Sequence, residues 1–117
     1  MSYDLMIRSD DRYSQSRPVD EMSKVIAAIA DVSPNGPDGF MIDRTGAGIW
    51  IGMDVSFAGP EGDRIDPPPP DRNVVDMHVP GAYFEKSEPR LLAVAAEIAG
   101  RLGWRVYDPQ DGMYLDG

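Results

Sequence analysis

One histidine, His78, and no cysteine stand against 20 aspartates and glutamates in this chain. Those counts limit the chemistry that can be sought. A serine nucleophile needs a neighbouring base, and His78 is the single imidazole available. Ser56 and Ser87 lie in no nucleophile-elbow context. Asp76 and His78 are two residues apart, so on a strand both could face one ion, but two ligands do not make a metal site. Asp63, Asp66 and Asp71 fall in one segment, yet the prolines between them are unlike a calcium loop with its alternating oxygen ligands. Gly46-Ala47-Gly48 lacks the following lysine and helix of a phosphate loop. Asp10-Asp11 and Asp20-Glu21 read as solvated loop and helix-start charges. No catalytic residue, metal or cofactor is expected.

Recognition remains. Trp50 is expected on the outer face of a strand beside Gly52 and Asp54, where a tryptophan near acidic groups makes a strong interface anchor. The competing reading has the long loop or the C-terminal tail folded over it. Tyr83, Phe84 and Tyr107 carry the same ambiguity. The residues singled out for partner binding are Trp50, Asp54, Glu61, Asp63, Asp66, Asp71, Asp76 and His78.

The formal net charge is -9, with 5 basic against 9 acidic side chains in residues 1–58 and 6 against 11 in 59–117. Acidity spread in this way repels phosphate backbones and anionic lipid, so neither nucleic acid nor a membrane surface is an expected partner. It favours a basic protein, or simply keeps the chain soluble. No apolar stretch approaches the roughly 20 residues that span a bilayer. The N-terminus lacks the pattern of a secretory signal, and the absence of cysteine fits a reducing compartment, so a cytoplasmic location is expected.

The elements that must position these residues follow from periodicity. Tyr3, Leu5 and Ile7 share one strand face. Pro18 opens a helix whose stripe of Val19, Met22, Ile26 and Ile29, widened by Val25 and Val32, runs up to Ser33-Pro34-Asn35-Gly36-Pro37. Residues 40–57 read as a β-hairpin: Ile49, Ile51, Met53, Val55 and Phe57 point one way, and Trp50, Gly52, Asp54 and Ser56 the other. Gly52 either weakens the strand or leaves room for something to lie across it. Residues 58–73 form a proline-rich acidic loop in which Pro67 to Pro70 favour an extended conformation. A strand with Val75, Met77 and Val79 buried and His78 outward follows. Ser87 is then expected to cap a helix with Leu91, Ala95, Ile98 and Leu102 on its inner face, flanked by Leu92 and Val94 and stopped by Gly103. Trp104 to Tyr107 forms the last strand, and the tail is expected to be turn-like.

The order predicts one α+β domain over residues 1–117: a two-layer sandwich with a mostly antiparallel sheet of about five strands and two helices on one face, ferredoxin-like with an extra strand. The first and last strands are expected inside the sheet.

Met1-Ser2-Tyr3-Asp4-Leu5 and Gly103-Trp104-Arg105-Val106-Tyr107-Asp108-Pro109-Gln110 together resemble small bacterial proteins of the toxin-immunity type. The match covers the first strand and the last helix-strand-turn unit, and the middle of the chain, proline run included, departs from it. The resemblance implies a bacterial source and a binding role, an antidote that blocks a basic toxin domain, and carries no catalytic residue over. The alternatives are a small-ligand or enzymatic domain using His78 with nearby carboxylates, and a subunit that self-associates through a sheet edge.

Overall fold

The computed structural model describes residues 2–115. Its elements are β1 (Ser2–Arg8), β2 (Arg17–Pro18), α1 (Val19–Ala27), β3 (Val32–Pro34), β4 (Gly39–Arg44), β5 (Ile49–Ser56), β6 (Asp71–Arg72), β7 (Val74–Pro80), α2 (Phe84–Leu102), β8 (Arg105–Asp108) and β9 (Met113–Tyr114). Seven strands form the main sheet in the order β3-β4-β5-β7-β1-β8-β9, with every neighbouring pair antiparallel. β2 and β6 make a separate two-stranded ribbon. The class is α+β, as the periodicity predicts, but the sheet has seven strands rather than five.

Alternation explains the layering. Leu5, Ile7, Ile51, Met53, Val55, Val75, Met77 and Val79 project from one face of the sheet and are buried against Met22 and Ile26 of α1 and Leu91, Ala95 and Ile98 of α2. Both helices therefore cover this face, and the inward residues of α2 match its 3.6-residue period. Leu92, expected beside that stripe, turns outward and is exposed. Gly103 ends α2 with a left-handed φ of 71°, a conformation glycine adopts without a Cβ penalty.

Four local expectations are corrected. α1 stops at Ala27 instead of running to Val32. The Ile29 N–H bonds the Ile26 carbonyl, Asp31 takes a φ of 70°, and Val32 pairs with Ile42 as the start of β3. The sheet ladder thus takes a β-branched residue that the helical spacing also suited. Pro34 is tolerated because β3 is an edge.

α2 begins at Phe84, so Ser87 is not its cap but sits buried inside it. Its hydroxyl oxygen instead accepts the Trp50 N–H at 3.1 Å, tying the helix to β5.

The 58–73 segment is not a structureless loop. The Gly59 N–H bonds the Asp63 carbonyl, the Ile65 N–H bonds the Phe57 carbonyl, and Asp71 and Arg72 pair with β2. The Asn73 side chain clamps Ala58 from both sides, with its oxygen accepting the Ala58 N–H and its amide donating to the Ala58 carbonyl, each at 2.8 Å. The tail, finally, adds β9 against β8 beyond the turn at Gly112.

Candidate site on the helix-free sheet face

The residues that alternate away from the helices share the other face. The register lines up Met41, Gly52, His78 and Asp4 in one row across β4, β5, β7 and β1. The next row holds Asp54, Asp76, Met6 and Tyr107. Trp50 lies opposite Asp43, beside the first row.

Gly52 is buried although it has no side chain, because its neighbours lie over it. A Cβ there would stand 2.4 Å from His78 Cε1 and 2.9 Å from the tip of the Trp50 indole. The two rings meet at 5.4 Å between centroids and 54° between planes, in the range of favourable tilted pairs. The glycine thus leaves room for His78 and Trp50 to lie across the strand. Trp50 is half-buried against this imidazole.

Arg64 reaches this face from the 58–73 segment. Its Nε and Nη2 donate to the two oxygens of Asp76 at 2.9 and 2.5 Å, a bidentate fork, and Nη2 also approaches Met6 Sδ at 3.3 Å. The hydrogen bond to Asp76 raises the guanidinium's pKa above its ordinary value. Two clefts flank the pair. One, of about 430 Å³, lies between the Asn35–Gly39 turn, the end of β5 and Ile65–Pro68; the other, of about 440 Å³, is bounded by Asp4, Met6, His78 and Pro109.

Beyond Met6 the face is closed by a tyrosine cage. The buried Arg8 guanidinium lies 4.0, 4.9 and 5.5 Å from the ring centres of Tyr107, Tyr13 and Tyr114. It donates to the Tyr13 hydroxyl at 2.9 Å and the Tyr114 hydroxyl at 3.2 Å. Burial alone would lower the Arg8 pKa, but those hydrogen bonds outweigh it and leave it raised. Tyr114 donates in turn to Asp11 at 2.6 Å; burial first, and then this bond, raises the pKa of its phenol. Asp10 accepts the Arg12 and Ser14 N–H groups and the Ser14 hydroxyl. The bonds from Ser14 hold its carboxyl below the usual aspartate value. Asp10 and Asp11, expected as solvated loop charges, lie at the surface and in addition build a turn and a clamp.

Of the eight recognition candidates, the structure brings together Trp50, Asp54, Asp76 and His78 on the sheet face, with Asp66 in the wall of the first cleft. Glu61 stands exposed at the tip of its turn, and the Asp63 carboxylate lies over Gly59 within that turn. Asp71 accepts the Ser16 hydroxyl at 3.1 Å in the β2–β6 region and lines neither cleft. Tyr83 and Phe84 pack against the helix-side core, and Tyr107 belongs to the cage. Sequence reasoning missed Met41, Asp38 and Arg64. Met41 was within reach, because the hairpin register sets it opposite Gly52.

Asp76, the carboxylate nearest His78 in sequence, is held by Arg64, and the imidazole itself lies over Gly52 against Trp50. Among the described residues no group of three side chains could hold a metal ion, and no helix is long and apolar enough to cross a membrane. What the face presents is aromatic and thioether surface ringed by carboxylates. In comparison with known proteins, the chain matches no family model and no curated sequence.

Proposed function

We propose that the chain is a non-catalytic protein-binding module of the immunity type, a bacterial cytoplasmic antidote that lays its helix-free sheet face on a basic toxin domain. One observation carries the reading: Trp50, His78 and Met41 lie side by side across Gly52, with Asp4, Asp43 and Asp54 around them. Aromatic and methionine side chains within a polar rim are the make-up of interface centres. The strand order β5-β7-β1-β8, with α2 linking β7 to β8 across β1, supports a ferredoxin-like core that β3, β4 and β9 extend. The alternative, a small-ligand or enzymatic domain using His78 with nearby carboxylates, keeps Asp4 opposite His78, while Asp76 is committed to Arg64.

The test is capture of a partner by tagged protein co-expressed with the products of adjacent genes. A basic protein should be recovered in stoichiometric amount. Trp50→Ala should weaken its binding roughly thirtyfold, the effect of a hot-spot residue. No partner, or one indifferent to Trp50→Ala, would defeat the proposal.

A further inference from the structure

The cleft at the end of β5 carries an unbalanced charge. Its walls include the carboxylates of Asp38, Asp54, Asp66 and Asp76. Arg64 neutralises Asp76, and Arg72, buried behind the cleft, neutralises Asp38 at 3.2 Å. Asp54 and Asp66 form no ion pair among the described residues. Asp54 stands directly opposite Asp76 across the β5–β7 ladder, an arrangement of like charges that destabilises a sheet unless a cation intervenes. Arg64 supplies a cation for one of the two.

Asn35, Ser56 and the Arg64 side chain also line the cleft, and the rest of its wall is apolar. Pro37, Phe57, Ile65 and Pro68 line the same cleft, and Ile65 is 42% exposed at its rim. Apolar walls that lead to free carboxylates fit a long basic side chain, whose methylene stem packs while its head finds charge. Guanidinium suits such a place better than ammonium, because it is planar, weakly hydrated and able to form two parallel bonds to one carboxylate. The face already seats one guanidinium in this way, that of Arg64 on Asp76.

From this we infer that the cleft is the specificity pocket of the docking face and takes an arginine side chain presented by the protein partner. The arginine enters past Ile65 and pairs with Asp54 and Asp66, alongside the Arg64–Asp76 pair. The inference rests on the protein-binding reading above and adds to it the chemistry of the partner's central contact.

The probe is the blocked peptide Ac-Gly-Arg-Gly-amide, with its uncharged citrulline counterpart as control, titrated into the isotope-labelled full chain and followed by amide NMR at low salt. The arginine peptide should give saturable shifts at Asp38, Asp54, Ser56 and Ile65. The citrulline peptide should bind roughly tenfold more weakly, as should the arginine peptide to Asp54→Asn and Asp66→Asn, each of which loses a charged hydrogen-bond acceptor. Asp20→Asn, which removes the same charge from the exposed start of α1, should bind as the parent does. Equal binding of the two peptides would overturn the pocket. So would shifts scattered over the surface that fall equally in Asp20→Asn and Asp54→Asn, since they would show attraction to net charge alone. The titration needs no natural partner, so the two readings can fail separately. Arginine-specific binding with no captured partner would leave the pocket and remove the module; capture through Trp50 without arginine-specific shifts would do the reverse.

Discussion

Gly52→Ala separates the proposed docking face from the fold. The added methyl would sit 2.4 Å from His78 Cε1 and 2.9 Å from the Trp50 indole, closer than real Cβ contacts allow. Both obstructing groups are side chains on a half-exposed face, so they can swing away where a closed core could not. Replacing a mid-strand glycine stabilises by about 0.5–1 kcal/mol through the lost freedom of the unfolded chain. Loss of the Trp50–His78 pair costs about 0.5–1.5 kcal/mol. The two effects nearly cancel, and the urea-derived stability should stay within about 1 kcal/mol of the parent. The NOEs between the Trp50 and His78 rings should disappear, and binding of the captured partner should fall as far as in Trp50→Ala, although the tryptophan is still present. Destabilisation beyond about 2 kcal/mol, the range of overpacked cores, would show that the rings cannot move and that this face is interior. Ring NOEs that survive would refute the geometry directly.

Three further outcomes follow from the same contacts. Asp54→Asn should raise the stability of the free protein by roughly 0.2–1 kcal/mol in urea titration, because it removes the like-charge opposition to Asp76. Arg8→Lys keeps the charge but loses the fork to Tyr13 and Tyr114, and should cost about 1.5–3 kcal/mol together with exchange protection of the Leu115 amide, which bonds the Val106 carbonyl. Tyr3, whose hydroxyl donates to Asp108 at 2.9 Å, has its pKa pushed up to about 12, by burial first and by that bond second. Its folded pKa lies above the unfolded value of about 10, so its contribution is whole below pH ~10 and is lost as pH rises toward 12. Urea midpoints from pH 8 to 11.5 should therefore decline less steeply in Tyr3→Phe.

The legible parts of this fold are those where one short-range rule suffices. Strict alternation through Ile49–Ser56 and Val75–Val79 gives both faces of β5 and β7, and with them the placement of Trp50, Asp54, Asp76 and His78 together, whereas Phe57, expected with Ile49 and Val55, lies past the strand end and lines the cleft instead. Gly103 ends α2 for a reason visible in one residue. β3 and β9 were not legible, because strands of three and two residues carry no period and exist through the ladders they join. Ser87 has the composition of a cap, but the helix starts earlier because Tyr83 and Phe84 pack on the core. Arg64 and the Arg8 cage depend on contacts across 12 and up to 106 positions of sequence, and no local pattern announces either.

The two faces of the sheet differ in how far each residue agrees with the fold. On the helix side every level agrees: alternating strand residues, a 3.6-residue helical stripe and buried side chains such as Leu5, Ile98 and Met53 all specify one core. The open face breaks local rules repeatedly and in one place. It holds a glycine in the middle of a strand, two aspartates facing each other across a ladder, a tryptophan left half-buried and an isoleucine at the mouth of an acidic cleft. The facing aspartates have a more stable substitute for an isolated domain, as Asp54→Asn would demonstrate. Gly52 makes room for the rings, and Asp54 near them forms no ion pair among the described residues. A sheet face where these departures gather, with complementary chemistry, supports the proposal of a surface that completes its packing and its charge on a partner.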